Sequence, residues 1–156
     1  MDQKKTVFID ADLRRGTGRN LFHLPKRIGI TSYLAGQCTL QEIIQSTEVP
    51  NLSFISAGPV PPNPTELLSS TKFVQLLEEL KNQFDIIIVD TPPLLVADTL
   101  HISAIVDGCL YVVNAESSKV EQAIYSIELL KQVQAPLIGT IINKSKGSVR
   151  SYSYYN

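Results

Sequence analysis

The chain has 156 residues, which is the size of one domain with enough length to bury a core. Its 14 Lys and Arg residues balance 15 Asp and Glu residues, and a formal charge of -1 gives no strong field for holding nucleic acid. No apolar run approaches the ~20 residues of a spanning helix and no export signal opens the sequence, so we expect a cytoplasmic protein.

Five short apolar runs predict β-strands. In chain order the predicted strands are Thr6–Ile9, Leu52–Ile55, Ile86–Val89, Cys109–Val113 and Leu137–Ile142. The runs are nearly continuous rather than alternating, which is typical of parallel strands that are buried on both faces. Two cysteines, Cys38 and Cys109, are predicted to be buried structural thiols because they form no Cys-x-x-Cys pattern.

Helical patterns lie between the predicted strands. The predicted helices are Thr39–Gln45, Ser70–Gln83, Ala97–Ile105 and Lys119–Val133. A proline-rich segment, Gly58–Pro64, predicts a rigid surface loop that leads into a helix beginning at Thr65 or Glu66. The alternation of strands and helices indicates an α/β domain with a doubly wound, mainly parallel sheet over residues 1–144. Residues 145–156 lack apolar periodicity and predict a flexible, tyrosine-rich tail.

Aspartates follow two of the predicted strands. Asp10 and Asp12 follow the first strand, and Asp90 follows the third. Ligands of open parallel sheets bind beyond the carboxyl ends of the strands, and carboxylate oxygens suit Mg²⁺. For one strand alone, a solvated Asp that caps the next helix explains the pattern equally well. Two such strands together favour a site of the kind that nucleotide hydrolases and phosphotransferases use.

Two segments carry a specific resemblance. Asp10-Ala-Asp12-Leu-Arg14-Arg15 is similar to the second Walker motif, Walker A′, of the bacterial protein-tyrosine kinases, and Ile86–Asp90 with Thr91-Pro92-Pro93 is similar to their Walker B motif. Those kinases are P-loop proteins related to the MinD and ParA ATPases. The resemblance covers nearly the whole chain and also includes Gly29–Leu34, Pro61–Leu68, Val106–Gly108 and Gly139–Asn143.

The resemblance implies roles for the matching residues. The implied catalytic residues are Asp10, Asp12 and Asp90. Asp10 and Asp90 would lie near Mg²⁺, and Asp10 or Asp12 would take or orient the proton of an incoming tyrosine. The implied nucleotide-binding residues are Arg14, Arg15 and Asn143.

Arg14, Arg15 and Asp98 also have structural interpretations that need no ligand. Arg14 and Arg15 fit an exposed basic pair at a loop as well as they fit phosphate neutralisation. Asp98 also matches the family pattern, but its position favours a cap on the helix that follows.

The family places a strand, a Gly-x-x-x-x-Gly-Lys-Thr/Ser loop (Walker A) and a helix before the Asp10 motif, whereas nine residues precede it here. We therefore predict a truncated, partial P-loop kinase domain that does not bind ATP normally alone. The missing strand would leave a gap with exposed apolar faces and unpaired backbone edges. Gly16-Thr-Gly18 lacks the loop's lysine and is interpreted as a flexible turn.

Three of the six tyrosines, Tyr152, Tyr154 and Tyr155, stand among the last five residues. They resemble the cluster that these kinases phosphorylate on one another, and we interpret them as autophosphorylation sites. The alternative is an aromatic tail that only packs.

Membership of this family implies ATP and Mg²⁺ as cofactors. The expected partners are a transmembrane polysaccharide co-polymerase or activator protein, or a fused membrane region, together with other kinase copies and no nucleic acid. The leading hypothesis is an autophosphorylating tyrosine kinase domain at the inner face of the cell membrane that regulates capsular or exopolysaccharide biosynthesis and export. Two alternatives stay open: a pseudokinase that is phosphorylated in trans on its tail, and a MinD- or ParA-like ATPase.

Overall fold

A computed structural model describes residues 4–22 and 28–145. The tail tyrosines Tyr152, Tyr154 and Tyr155 lie outside these residues. The described strands are β1 Thr6–Asp10, β2 Gln45–Ser46, β3 Leu52–Ile55, β4 Ile86–Asp90, β5 Cys109–Asn114 and β6 Leu137–Asn143. The described helices are α1 Gly18–Leu21, α2 Ile30–Leu34, α3 Leu40–Ile43, α4 Pro64–Leu68, α5 Thr71–Lys81, α6 Ala97–Ser103 and α7 Val120–Gln132.

The strands form two sheets. The first has the order β2-β3-β1-β4, in which β1 runs parallel to both β3 and β4, and the short β2 pairs antiparallel with β3. The second sheet consists of β5 and β6, which are parallel. The predicted α/β domain with mainly parallel strands is therefore confirmed, although its strands divide between two sheets.

The core lies between the first sheet and the helices. Val7 and Ile9 of β1 are fully buried, and so are Phe73 and Leu76 on the inner side of α5, which confirms the predicted apolar face of that helix. Each such side chain stabilises the fold by about 1.5–3 kcal/mol when it leaves water. Ser70 caps α5 by accepting the N–H of Phe73 at 3.3 Å.

The prediction that all strands are buried on both faces is wrong for β4, β5 and β6. Ile86 and Ile88 are exposed on β4, and Leu110 and Val112 are exposed on β5. Strand β4 ends the first sheet, so one of its backbone edges has no strand partner in the described part of the chain. The exposed apolar faces expected beside the strands that end in Asp10 and Asp90 are thus present on β4.

Several local predictions need correction. The predicted helix Thr39–Gln45 ends at Ile43, since Ile44 is extended and Gln45–Ser46 forms β2 against β3. The next helix begins at Pro64, whose missing N–H and fixed φ suit the first helical turn. The thiols of Cys38 and Cys109 are only partly buried, and burial raises the pKa of both.

The helices of the first sheet's connections are short, and α7, with 13 residues, is the longest helix of the described ranges. None of the helices within residues 4–22 and 28–145 combines the length and apolar character needed to cross a bilayer.

Candidate functional site

Adjacent parallel strands bring two of the predicted carboxylates together. Strands β1 and β4 pair in register from Thr6 opposite Ile86 to Asp10 opposite Asp90. Both aspartates are the last residues of their strands, one residue beyond the predicted ends. The N–H of Ala11 then donates to the carbonyl oxygen of Asp90 at 2.8 Å, so the two segments stay hydrogen-bonded one residue beyond Asp10.

Asp10 is held inside the loop that it begins. Its side chain is almost fully buried, and its two oxygens accept the N–H groups of Gly18 at 2.8 Å and of Asp12 at 3.2 Å. Burial raises the pKa of Asp10, and the nearby charges of Asp90 and Asp12 add to this, while the two backbone N–H groups oppose it. Asp10 therefore shapes the loop between β1 and α1 as well as marking the site.

The glycines of this loop allow close approach to Asp10 and to the segment after β3. A Cβ atom on Gly16 would lie 2.5 Å from Cβ of Ala57, and one on Gly18 would lie 3.0 Å from Oδ2 of Asp10. The interpretation of Gly16-Thr-Gly18 as a turn needs correction at Gly18, which begins α1. The bond from the Gly18 N–H ties this segment to Asp10.

We expect Gly16→Ala to lower the free energy of unfolding by about 1–3 kcal/mol, because the added methyl group overlaps Ala57 in a packed region. Urea denaturation followed by circular dichroism measures the change. Gly139→Ala is the matched control, since its Cβ would meet only Cδ2 of Leu110 at 3.6 Å, an ordinary contact. Equal stability of the two variants would contradict the close packing of Gly16.

Asp12 and Asp90 keep oxygen atoms open. Asp12 Oδ1 accepts the N–H groups of Arg14 at 3.1 Å and Arg15 at 2.9 Å, whereas Oδ2 has no hydrogen-bond partner among the described residues. Burial raises the pKa of Asp90, and the negative charge of Asp12 raises it further, against the effect of the Thr91 N–H. Two carboxylates that repel each other at an open edge favour a cation.

The carboxylates of Asp12 and Asp90 could supply part of the coordination shell of a Mg²⁺ ion. No group of three or more His, Cys, Asp or Glu side chains within the described ranges is arranged to hold a metal ion. Magnesium does not need such a group, since it keeps several waters and binds one or two carboxylates together with substrate phosphates. Asp90 and Asp12 offer carboxylate oxygens of this kind.

A cavity of about 200 Å³ adjoins Asp10. One wall comes from the loop after β1, and the other comes from the segment after β3. The lining residues are Asp10, Leu13, Arg14, Arg15, Gly16, Ser56, Ala57, Gly58 and Val60. Sequence reasoning missed the second wall because it treated Gly58–Pro64 only as a surface loop. The available signal was that β3 also ends at this edge of the parallel sheet.

Arg14 is engaged in a polar cluster. Its Nε lies 3.1 Å from Asp98 Oδ2, and its Nη2 donates to Thr65 Oγ1 at 3.1 Å. Thr65 in turn donates to Asp98 Oδ1 at 2.6 Å. The prediction that Asp98 caps α6 is wrong: Val96 is the N-cap residue, and the Asp98 side chain is fully buried in this cluster.

The remaining predicted site residues are more dispersed. Arg15 lines the cavity beside Asp10. Asn143 ends β6 in the second sheet, opposite Asn114, and its Oδ1 accepts the N–H of Lys144 at 2.8 Å. Asn143 is not among the residues that line the cavity.

Known proteins are similar to this chain in sequence and in fold. The sequence model of the AAA domain family matches residues 1–143. The tyrosine-protein kinase CpsD of Streptococcus agalactiae is 40% identical over 153 residues, which are 97% of this chain and 67% of that protein. The tyrosine-protein kinase etk of Escherichia coli (strain K12) is 38% identical over 153 residues, or 97% of this chain but 21% of that protein.

Solved structures of similar proteins have the same fold as this chain. The kinase domain of the Escherichia coli tyrosine kinase ETK matches with a TM-score of 0.84 and 35% identity over 98% of this chain and 61% of that one. The septum site-determining protein MinD of Pyrococcus horikoshii OT3 matches with a TM-score of 0.76 at 21% identity, which shows a shared fold alone. The chain spans about two thirds of the length of CpsD. With these identities and this fold, the chain belongs to the family of bacterial tyrosine-protein kinases that are built on the AAA domain.

Proposed function

We propose that this chain supplies the Walker A′ and Walker B carboxylates of an ATP-dependent protein-tyrosine kinase. The observation that carries the proposal is the register of β1 and β4, which sets Asp10 opposite Asp90 at the carboxyl edge of a parallel sheet. This is the place where sheets of this class bind phosphates and metal ions. The relatives that are named tyrosine-protein kinases support the same reaction.

The side chains divide the work according to their surroundings. Asp10, whose oxygens are both hydrogen-bonded to backbone N–H groups, organises the loop. The open oxygen of Asp12 accepts the proton of the tyrosine hydroxyl as the phenol oxygen bonds to the γ-phosphorus and the bond to ADP breaks. Asp90 and Asp12 would hold Mg²⁺, which when bound neutralises charge on the transferring phosphoryl group. Arg15, on the cavity wall, adds positive charge near the phosphates.

The biological setting of the proposal is polysaccharide production. Relatives of the chain are tyrosine-protein kinases, and one of them, etk, is about five times as long as the matched segment. We infer that this domain regulates capsular or exopolysaccharide biosynthesis from the cytoplasmic face of the membrane. A transmembrane co-polymerase or activator, or a membrane region of the same polypeptide, would bring it there. Other kinase copies would be its phosphorylation partners.

The test is an autophosphorylation assay. The chain is joined to a strand, a Gly-x-x-x-x-Gly-Lys-Thr/Ser loop and a helix from a relative, and this protein is called the completed chain below. Incubation with radiolabelled Mg-ATP should place phosphate on tyrosine. A folded completed chain that binds Mg-ATP but transfers phosphate to no tyrosine would overturn the proposal in favour of an ATPase.

We expect the 156 residues alone to bind Mg-ATP too weakly for calorimetry to detect, because Asp12 and Asp90 form only part of a magnesium shell and no Gly-x-x-x-x-Gly-Lys loop lies in the sequence. The completed chain should bind it with a measurable heat. A micromolar dissociation constant for the 156 residues that is lost in Asp90→Ala would contradict this expectation.

A further inference from the structure

We propose that Arg14 is a positioning residue for Asp12, and that its anchors are Asp98 and Thr65 rather than the nucleotide. This inference rests on the proposed function, in which Asp12 receives the tyrosine proton. In this proposal the Arg14 guanidinium binds Asp98 and Thr65, and the Arg14 backbone N–H orients Asp12.

The side-chain anchor is buried at its acidic end. Asp98 is 0% exposed, and both of its oxygens are used, one by Arg14 Nε at 3.1 Å and one by the Thr65 hydroxyl at 2.6 Å. The Arg14 side chain is 45% exposed, so its other end reaches solvent. A buried carboxylate without a cation is strongly unfavourable, so Asp98 holds the guanidinium in place. Thr65 closes the cluster, because its hydroxyl accepts from Arg14 Nη2 and donates to Asp98.

The backbone of the same residue reaches Asp12. The N–H of Arg14 donates to Asp12 Oδ1 at 3.1 Å, and the neighbouring N–H of Arg15 donates to the same oxygen at 2.9 Å. These two bonds orient the carboxylate and leave its second oxygen open. Because these two N–H groups belong to the peptide groups on either side of the Arg14 Cα, fixing the Arg14 side chain restrains the backbone that holds Asp12.

The cluster joins three parts of the fold. Arg14 belongs to the loop after β1, Thr65 belongs to α4, and Asp98 belongs to α6. The partners of Arg14 are 51 and 84 residues away along the chain. Helix α4 directly follows the proline-rich loop, so Thr65 connects the end of that loop to the segment that carries Asp12.

A role of Arg14 in binding phosphate directly would require other contacts of its guanidinium. Only Nη1 faces away from the cluster, and a bidentate contact that also used Nε or Nη2 would require the guanidinium to leave Asp98 or Thr65. That movement would strand a fully buried carboxylate. Loss of a nucleotide-binding residue raises the KM for ATP, whereas loss of a positioning residue lowers kcat and leaves that KM unchanged.

The experiment compares Thr65→Val with Thr65→Ser. Valine keeps the shape of threonine but removes the hydroxyl, and serine keeps the hydroxyl. In the 156-residue chain without nucleotide, amide hydrogen exchange measured by NMR should be about tenfold faster at Arg15 in Thr65→Val, and Thr65→Ser should restore it. In the completed chain, kcat for autophosphorylation should fall about tenfold in Thr65→Val with the KM for ATP within about twofold.

Amide exchange and autophosphorylation kinetics are also measured for a control variant, Lys81→Met. Lys81→Met removes the exposed ion pair with Glu78 and should change neither exchange at Arg15 nor kcat. Unchanged exchange at Arg15 in Thr65→Val, or a raised KM for ATP with constant kcat, would overturn the positioning role. The exchange measurement needs no kinase activity, so a folded completed chain that binds Mg-ATP but phosphorylates no tyrosine would refute the proposed function, while exchange at Arg15 still decides the role of Arg14.

Discussion

Asp90→Asn should abolish autophosphorylation of the completed chain. The amide has the size of the carboxylate but carries no charge to hold Mg²⁺, and a metal ion stabilises phosphoryl transfer by several kcal/mol, so we expect a loss of about 10³-fold or more. Calorimetry provides a second measurement, because the Mg²⁺ dependence of ATP binding should also be lost. Asp90 stands at the open edge of the sheet, so its substitution should leave the fold intact.

Asp85→Asn is the matched control, because Asp85 lies directly before the other end of β4. Asp85 Oδ2 accepts the N–H of Lys5 at 2.7 Å, a bond that an asparagine side-chain oxygen also makes. This variant should phosphorylate as the unsubstituted completed chain does. Undiminished phosphotyrosine in Asp90→Asn would remove Asp90 from the site.

An intact relative should phosphorylate this chain on its C-terminal tyrosines. Terminal segments without periodicity adapt to another molecule's active site, whereas residues fixed in helices or strands do not extend into one. Replacing Tyr152, Tyr154 and Tyr155 together with Phe should therefore remove most of the phosphate that the relative transfers. Mass spectrometry after incubation with the relative and Mg-ATP measures each site.

The other tyrosines provide controls of different exposure. Tyr33 is buried in α2, and its hydroxyl donates to Glu79 at 3.5 Å, while Tyr125 is 52% exposed on α7. Tyr125→Phe removes an accessible hydroxyl held in a regular helix, and it should leave the transferred phosphate nearly unchanged. Phosphate found mainly on Tyr33, Tyr111 or Tyr125 would defeat the interpretation of the tail as the acceptor.

The regular elements were predictable because their signals are local. A run such as Ile86–Val89 shows its strand through β-branched residues, and Ser70–Gln83 shows its helix through one apolar face, so the structure changes their ends by only one or two residues. The short helices α1 and α2 escaped prediction, since four or five residues carry too little periodicity and neither has the start signals of α3 and α4, which are the Thr39–Glu42 capping box and Pro64. Strand β2 escaped for the same reason and depends on pairing with β3.

The residues alone predicted the family, the mainly parallel α/β fold and the position of Asp10 and Asp90 after two strands, because apolar runs and the residues that follow them are local signals. The pairing of β1 with β4, which sets the two aspartates opposite each other, and the contacts of the polar side chains emerge only in the folded chain. Asp98 looks like a helix cap in sequence, yet it binds Arg14 84 residues away, and the cavity wall from Ser56 to Val60 appears only when β3 lies beside β1. Local periodicity reports which face of an element is apolar, but a polar contact between distant segments depends on how the elements pack.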